Sequence, residues 1–537
     1  MFTFHTKNGK NNIKSHTNKS IKTGGENKMK KRLISLLFAG IMTCSVIGSG
    51  VTTYAADDDS HINLALFTYI EGMDPATDWC GWNLTRCGVG ETLVTVNENM
   101  EIVGQLADEW EQVDDTTYRF HIRQGVKFSN GTELTPEIVK DSIQRSIDNN
   151  SRGGDLKIAS IDVDGEYVIF TTDGEYSAFV AQLTEPMTVI VDTTADTSNY
   201  DTMPICTGPY AVSEYVSEEK IELVANENYW DGAPKIKSIT VKNIGSDTKA
   251  DAMLSGDIDL AQGPDATSLS RVENNDDINI VKVTGTREND FELNCREGNP
   301  LSDKNLRLAL SYAVDRDVVA QVAGNGYSTP IGTAFPPSVG YDSDKVTAQT
   351  YDLDKAKECL EAAGYSDTDG DGIVDKDGED LSLTISISNG SSTAVSETLQ
   401  DMWKQIGVDV QIEMLENVSD KRASGDFDML VSPNWQTVNA GDGQKYLMNR
   451  WSDGGSDNYS GYHSDEFQAV LDKLDTAFTQ EDRVSAFVEA QQVLADDAPA
   501  IWMYANENVT LVNSKIENVT VFPIDYYLVT NKWTLAE

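Results

Sequence analysis

Helix and strand patterns alternate along this chain, and that alternation limits its fold more than any other feature. A helical pattern ends at Gly407 and passes directly into a strand with apolar residues at every second position from Val408 to Met414. Such alternation is typical of an α/β fold. No repeat or low-complexity linker divides the 537 residues, and one core rarely grows beyond about 300 residues. We therefore expect two to four domains built from intertwined stretches of chain.

Helix starts are marked by residues whose side chains accept a hydrogen bond from the first turn. The predicted starts are Thr135 followed by Pro136, Ser302, Asp352, Ser464, and Thr479 with Asp482. We expect the helix that begins at Asp352 to stop at Gly364, and the last helix to end before Pro499, because glycine and proline are frequent at helix ends.

The charge of the chain excludes one class of partner. With 42 Lys and Arg against 87 Asp and Glu, the formal charge is -45 at pH 7. Nucleic-acid binding needs clustered positive charge to neutralise phosphates, so we expect no nucleic-acid partner. Disorder is also disfavoured, because 15 Phe, 20 Tyr and 9 Trp can bury a great deal of surface.

The first 55 residues differ in charge from the rest, with nine Lys and Arg and a single Glu. Residues 29–56 combine a basic segment, an apolar run over residues 33–42 that is too short to span a bilayer, and small residues before the cleavage point, and they predict an export signal. We interpret residues 1–28 as an over-called start. A lipoprotein anchored through Cys44 is the alternative, but Thr43 stands where a small residue is usual, and we favour a soluble mature chain.

Five cysteines follow the export signal, and an odd number cannot all pair. Cys359 lies on the apolar side of the helix that begins at Asp352, which predicts a buried thiol. Cys80 and Cys87 could close a short loop in an oxidising compartment, a pairing that the sequence leaves open.

Several motifs, in a fixed order, give the chain a family resemblance. They lie at residues 91–93, 106–110, 118–131, 207–210, 226–230, 255–259 and 307–315, and the third reads YRFHIRQGVKFSNG. On these motifs the chain resembles the extracellular solute-binding proteins of family 5, the peptide, opine and nickel group of ABC-importer receptors. Cys206, where that family usually has Gly, is a departure, and it leaves open a contact between Cys206 and Cys295.

The resemblance implies an α/β fold of the type II periplasmic-binding-protein kind, with two lobes, a hinge between them and an extra subdomain. On that basis lobe I comprises residues 57–92, 190–262 and 500–537, the extra subdomain residues 93–189, and lobe II residues 263–499. The ligand would be enclosed between the lobes, with the hinge absorbing the closing motion.

The same resemblance implies a receptor that takes a small-molecule or peptide solute to the permease subunits of an ABC importer. It would act as a monomer, exported to the cell surface or the periplasm. The sequence gives a secreted enzyme little support. Only His61, His121 and His463 follow the export signal, and the zinc-protease, nucleophile-elbow and nucleotide motifs are missing.

The ligand class depends on the region around Trp435. In the peptide-binding branch of the family, an Asp three residues after this Trp pairs with the α-ammonium group of the peptide. Here that position is Val438, so the anchor is missing unless Asp442 replaces it. A core aromatic is the alternative interpretation of Trp435.

The pattern from Trp435 to Asn439 is more similar to the nickel and metallophore branch. There an Arg after the helix of the extra subdomain holds a carboxylate of a small chelator, and Arg152 occupies the matching place; a solvated loop charge is the alternative. The aromatic residues from Tyr69 to Trp82, in the loop after the first strand, could cover a ligand at the cleft rim. The candidate ligand-binding residues are Arg152, Trp435, Asn439, Trp82, Trp79, Tyr69 and Asp442.

We expect no cofactor, and three scattered histidines give no site for a bare metal ion. Residues 367–375 alternate Asp with small and apolar residues and resemble a calcium loop, but position 12 is Gly378 instead of the usual bidentate Glu. We favour a solvated acidic turn, with a structural calcium ion as the alternative.

Overall fold

The computed structural model describes residues 60–69, 71–438 and 441–536. The predicted extension 1–28 and the predicted export signal 29–56 lie in the preceding part of the chain, which is outside this description. Over the described residues the protein is a mixed α/β structure, as the alternation of helix and strand patterns predicts. No helix within these residues is both long and apolar enough to cross a bilayer.

Strands and helices are numbered separately in chain order. The strands are β1 (His61–Ala65), β2 (Val94–Val96), β3 (Ile102–Gly104), β4 (Ala107–Asp114), β5 (Thr117–Ile122), β6 (Ile158–Asp164), β7 (Tyr167–Thr172), β8 (Tyr210–Val216), β9 (Lys220–Ala225), β10 (Ser238–Lys242), β11 (Leu260–Gln262), β12 (Ile278–Leu293), β13 (Ser328–Pro330), β14 (Asp375–Lys376), β15 (Glu379–Asp380), β16 (Ser382–Ser388), β17 (Asp409–Leu415), β18 (Met429–Gln436), β19 (Ala500–Asn513), β20 (Ile516–Glu517) and β21 (Thr534–Leu535). The α-helices are α1 (Gly81–Arg86), α2 (Pro136–Asn149), α3 (Phe179–Gln182), α4 (Lys249–Ser255), α5 (Lys304–Tyr312), α6 (Arg316–Gly324), α7 (Leu353–Ala362), α8 (Ala394–Lys404), α9 (Val418–Ser424), α10 (Gln444–Trp451), α11 (Asp465–Asp475) and α12 (Gln480–Asp497).

The largest sheet has the strand order β17-β16-β18-β12-β19-β11-β1-β10-β9-β8, with β13 added beside β19. Its two long strands, β12 and β19, pair antiparallel from Ile278 opposite Asn513 to Glu292 opposite Ala500. Parallel pairs join β1 to β10 and β11 on one side, and β16 to β17 and β18 on the other. The same two long strands therefore hold both ends of the sheet together.

Strand β19 contributes to four separate hydrophobic cores. Ile501 and Met503 belong to the core under α5 to α8, and Trp502 belongs to the core that contains α10, α11 and α12. Further along, Leu511 and Val512 pack into the two cores around β1 and β10. The predicted lobe boundaries remain a prediction, since this strand passes through both halves of the sheet.

A second sheet, β4-β5-β7-β6, lies within the residues predicted to form the extra subdomain. Strand β5 alternates partly buried and buried residues, as its sequence pattern predicts. Its buried Tyr118, Phe120 and Ile122 share a core with Val139 and Ile143 of α2. This core carries α2 and, directly after it, the loop that contains Arg152.

Most predicted helix starts are confirmed by side-chain caps. Thr135 accepts from the backbone N–H of Ile138, and Ser464 from that of Phe467. Half of the predicted capping box is present at Thr479: the N–H of Asp482 donates to Thr479 Oγ1 at 3.1 Å, and the Thr479 hydroxyl donates to Asp482 Oδ2 at 2.7 Å. These caps depend only on residues three apart, which is why the sequence reveals them.

The predicted start at Ser302 is wrong by one residue. Asp303 caps α5 by accepting from the N–H of Asn305 at 2.9 Å, while Ser302 ends a short 3-10 turn over Pro300–Ser302. Asn299 caps that turn with its own side chain. The Asp303 carboxylate thus takes the capping position that was predicted for the Ser302 hydroxyl.

All five cysteines beyond the export signal are free thiols. The expected burial of Cys359 is only partly correct, because its side chain is half-buried at the edge of the first core. Cys206 and Cys295 pack into different cores. The two cysteine pairings left open by the sequence are therefore not present in the structure.

Candidate functional site

Arg152 follows α2 directly and begins a 3-10 turn over Gly153–Leu156. Its guanidinium carbon lies 3.7 Å from the centroid of the Trp79 ring, and Nη1 donates to Glu185 Oε1 at 3.0 Å. The Arg152 side chain is 16% exposed. It is therefore a stacked and paired cation, and the solvated loop charge that was its alternative interpretation is excluded.

Glu185 is the buried partner of this cation, with a side chain that is only 1% exposed. Its Oε1 also lies 3.5 Å from the indole Nε1 of Trp82, whereas its Oε2 is buried without a hydrogen bond. The Trp82 ring packs 4.9 Å from Trp79 and 4.7 Å from Tyr526, measured between ring centroids. We call these five residues, Trp79, Trp82, Arg152, Glu185 and Tyr526, the Arg152 cluster.

The Arg152 cluster faces solvent through Trp79, whose side chain is 43% exposed. Trp82 stands on the short helix α1, not in the loop where the sequence analysis placed it. Tyr69 packs against the core around β1 and does not join the cluster. The structure thus brings together three of the predicted residues, namely Arg152, Trp79 and Trp82.

The chain after β18 forms a second wall of the candidate site, the first being the Arg152 cluster. Lys445 on α10 donates to Asp155 at 2.6 Å, and Arg152 Nε lies 3.8 Å from the same carboxylate oxygen. A Cβ on Gly441 would lie 3.2 Å from the hydroxyl of Thr184, the neighbour of Glu185. The segment from residue 441 to α10 therefore lies against the Arg152 cluster. Asn439 lies outside the described residues.

A cavity of about 690 Å³ opens between the extra subdomain and the residues after β18. Val438, Gly441 and Asp442 line one side, and Ile102 and Ala181 line the other. Its volume lies within the range of small-ligand sites, about 300 to 1,000 Å³. Val438, at the expected position of a peptide-ammonium anchor, thus faces this cavity with an apolar side chain.

Asp442 lines the same cavity, but its carboxylate is already bound. Arg483 Nε donates to Oδ2 at 2.8 Å, and Arg483 Nη2 donates to Oδ1 at 2.7 Å. The backbone N–H of Gln444 adds a third hydrogen bond, to Oδ1. This geometry is that of a structural ion pair.

Two more arginines lie beside the cluster, and the sequence analysis missed both. The buried Arg86 lies with its guanidinium carbon 5.3 Å from the Trp82 ring centroid, and its Nη2 lies 3.6 Å from Asp525 Oδ1. Arg287 on β12 donates to Asp525 Oδ2 at 3.3 Å. Two guanidinium groups therefore share one carboxylate. Arg86 stands one helical turn after Trp82, and that spacing is the signal that could have revealed it.

The acidic turn contributes no residue to the Arg152 cluster or to the lining of the cavity. The carboxylates of Asp367, Asp369 and Asp371 lie within 4.8 Å of one another and are exposed. The Asp367 side chain already accepts from the N–H groups of Gly370 and Gly372. Among the described residues this is the one group of acidic, histidine or cysteine side chains close enough to hold a metal ion.

Comparison with known proteins gives the family of the chain. Residues 101–458 match the model of the bacterial extracellular solute-binding proteins, family 5. The nickel-binding protein NikA of Staphylococcus aureus is 25% identical over 94% of this chain and 100% of its own length. The oligopeptide-binding protein AppA of Bacillus subtilis is 28% identical, over 83% of this chain and 86% of its own.

A crystal structure titled as a nickel ABC transporter from Bacillus halodurans superposes with a TM-score of 0.78 at 26% identity, covering 88% of this chain and 99% of that one. The fold is thus the type II periplasmic-binding-protein fold that the sequence motifs imply. The chain belongs to the family 5 bacterial extracellular solute-binding proteins.

Proposed function

We propose that this protein captures a small carboxylate-bearing solute, such as a metal chelate, between its lobes and delivers it to the permease of a bacterial ABC importer. The observation that carries the ligand class is the Arg152 cluster, in which an ordered guanidinium stands against an exposed indole. A planar guanidinium can hold a carboxylate with two parallel hydrogen bonds. Arg152 donates from Nη1 to Glu185, and ligand binding would use its remaining donors.

The charge beside the cluster supports an anionic group on the ligand. Arg86 and Arg287 share the single carboxylate of Asp525, which leaves one positive charge in excess. This excess occurs in a chain with a formal charge of -45, so it is a local feature of the surroundings of the Arg152 cluster. Buried cations attract a ligand carboxylate more strongly than surface cations, because water screens them less.

The α-ammonium group of an ordinary peptide would find no free counter-charge at Val438. A peptide ammonium placed at Val438 would be buried without a counter-charge, which costs several kcal/mol. Asp442 could supply that charge only by giving up its pair with Arg483. Free peptides should therefore bind more weakly than carboxylate chelates.

An oligopeptide-binding protein is the second candidate function. It is favoured by the similarity to AppA over 83% of the chain and by a cavity of about 690 Å³, which has room for a short peptide. In this case Asp442 would serve as the anchor. The two candidates thus differ in the residue on which binding depends, Arg152 or Asp442.

The family consists of binding proteins, which supports the proposed role as a receptor. Ligand can favour the closed form only by its higher affinity for that form. The ion pair of Lys445 with Asp155, which joins the chain after β18 to the predicted extra subdomain, is a contact that closure would add. We propose that the receptor works as a monomer, outside the cell or in the periplasm, beside its permease.

Titration calorimetry tests the proposal. The probes are nickel(II) with two equivalents of L-histidine, iron(III)-EDTA, the free chelators, and peptides of two to five residues. Arg152→Ala should weaken binding of the carboxylate chelates by about 2 to 4 kcal/mol, because it leaves the ligand charge without its partner. Arg152→Lys should recover part of that loss.

The matched control is Arg271→Ala, which removes an exposed arginine in a surface pair with Asp251 and should leave binding unchanged. Tight binding of unmodified peptides that survives Arg152→Ala and disappears in Asp442→Ala would replace the chelate proposal with the peptide one.

A further inference from the structure

Trp435 stands on an irregular part of β18, beside the long strand β12. Glu288 pairs with Trp435 and Asp290 with Ser432. An interval of three residues on β18 therefore lies opposite an interval of two residues on β12, which makes a β-bulge. Asn434 accommodates the extra residue in a left-handed conformation, with a φ of 48°. A bulge of this kind redirects the side chains next to it.

Arg450 is connected to both the edge and the face of the Trp435 indole. The indole Nε1 donates to Ser432 Oγ at 2.6 Å, and Arg450 Nη2 donates to the same oxygen at 2.7 Å. The guanidinium carbon of Arg450 also lies 4.8 Å from the Trp435 ring centroid, within the range of a cation–π contact. Arg450 therefore contacts the face of the ring directly and its edge only through Ser432.

Arg450 is itself fixed by two acids of β12, and its side chain is 1% exposed. Nη1 donates to Asp290 Oδ2 at 2.6 Å and Nη2 to Asp290 Oδ1 at 3.0 Å. Nη1 also donates to Glu288 Oε1 at 2.9 Å, and Tyr446 donates its hydroxyl to that same oxygen. The two-pronged contact with Asp290 sets the plane of the guanidinium.

Stability alone does not account for this arrangement. Burying ionised groups requires their desolvation, and well-packed apolar residues often replace a buried ion pair without loss of stability. Beyond its two carboxylates, the Arg450 guanidinium contacts Ser432 and the rings of Trp435 and Trp451. One buried cation therefore contacts Ser432 and both indole rings.

We propose that Arg450 is a positioning residue of the ligand cleft, which fixes the Trp435 indole through Ser432 and through its own stacking, while Asp290 holds Arg450. The inference rests on the proposed function in one respect, that Trp435 belongs to the cleft wall. A ring fixed before the ligand arrives lowers the entropic cost of binding.

The test observes the Trp435 indole directly and needs no ligand. The near-UV circular dichroism of each variant is compared with that of the same variant carrying Trp435→Phe, so that the difference belongs to Trp435. Ser432→Ala should lose most of this Trp435 band while keeping a native melting transition. The control is Ser386→Ala, which removes another buried hydroxyl, on β16, and should keep the band.

Arg450→Gln should lose the band as well. If that variant does not fold, Ser432→Ala alone decides the question, since it removes one hydroxyl and leaves the ion pairs in place. A wild-type Trp435 band in folded Ser432→Ala protein would overturn the proposal.

A ligand measurement separates this inference from the proposed function. In titrations with nickel(II) and L-histidine, Trp435→Phe and Ser432→Ala should both weaken binding severalfold. Unchanged binding by Trp435→Phe would refute the place of Trp435 in the cleft wall, whatever the spectra show. Failure of the wild-type protein to bind any carboxylate chelate would count against the proposed ligand class and would leave the spectral result standing.

Discussion

Arg483 donates to both carboxylate oxygens of Asp442, from Nε at 2.8 Å and from Nη2 at 2.7 Å. Each side chain is 10% exposed, and Arg483 also donates to the hydroxyl of Ser177 in the extra subdomain. The pair therefore links the wall after β18 to the subdomain that carries Arg152. The Asp442 carboxylate is therefore already paired with Arg483 before any ligand binds.

Replacing Asp442 by Ala should lower the free energy of unfolding by about 3 to 5 kcal/mol, because it leaves the Arg483 cation buried without a counter-charge. Urea unfolding followed by far-UV circular dichroism measures the loss. Asp251→Ala breaks an exposed pair with Arg271 and should cost less than about 1 kcal/mol. Equal, small losses in both variants would contradict the structural role given to Asp442.

Gly153 should be required for the position of Arg152, whereas its neighbour Gly154 should not. A Cβ on Gly153 would lie 2.2 Å from the carbonyl oxygen of Ile147, while one on Gly154 meets nothing within 4 Å. We expect Gly153→Ala to cost about 1 to 3 kcal/mol of stability, as overpacking does, and to weaken binding of carboxylate chelates. Gly154→Ala is the matched control, and urea unfolding with calorimetry compares the two. A neutral Gly153→Ala would disprove the close approach.

Glu288 should make stability fall as the pH rises. Burial and the neighbouring Asp290 carboxylate raise the pKa of Glu288 well above its usual value. A raised pKa in the folded protein gives stability that is present below the unfolded value of about 4.5 and is lost as the pH rises through the folded value. Each unit of elevation corresponds to about 1.4 kcal/mol.

The measurement is the free energy of urea unfolding of wild type minus that of Glu288→Gln, taken from pH 4.5 upward. This difference should fall with pH, because Gln cannot release a proton. A flat difference would show that the buried cluster does not hold the extra proton.

The acidic turn should not need calcium for stability. Asp367, Asp369 and Asp371 are exposed, and backbone N–H groups already donate to their carboxylates. Adding calcium to chelator-treated protein should leave the melting temperature nearly unchanged in differential scanning calorimetry. A rise of several degrees that disappears in Asp369→Ala would establish a calcium site.

The sequence predicted those features that depend on neighbouring residues. Capping at Thr135, Ser464 and Thr479 follows from contacts three residues apart, and the loop position of Arg152 follows from the family motifs and the helix before it. The start at Ser302 is wrong because two potential caps are adjacent in the chain, and their backbone geometry decides between them. Local rules do not resolve that choice.

The chemistry of the site was less predictable, because its partners are distant in sequence. Glu185 is one of 87 acidic residues, and nothing near it in the chain indicates that it is buried against Arg152. The pairing of Asp442 with Arg483 could likewise not be predicted from the sequence. Asp442 was therefore kept as a candidate ligand anchor. Charges become partners only through the tertiary fold.

The pairing of β12 with β19 has a consequence for the order in which the protein folds. Strand β12 finds its long partner only in residues 500–513, near the end of the chain. Pairings between such distant segments form slowly. Until β19 joins, the main sheet lacks the strand that connects β12 to β11, so its two halves should come together late in folding, after short-range pairs such as β4 with β5.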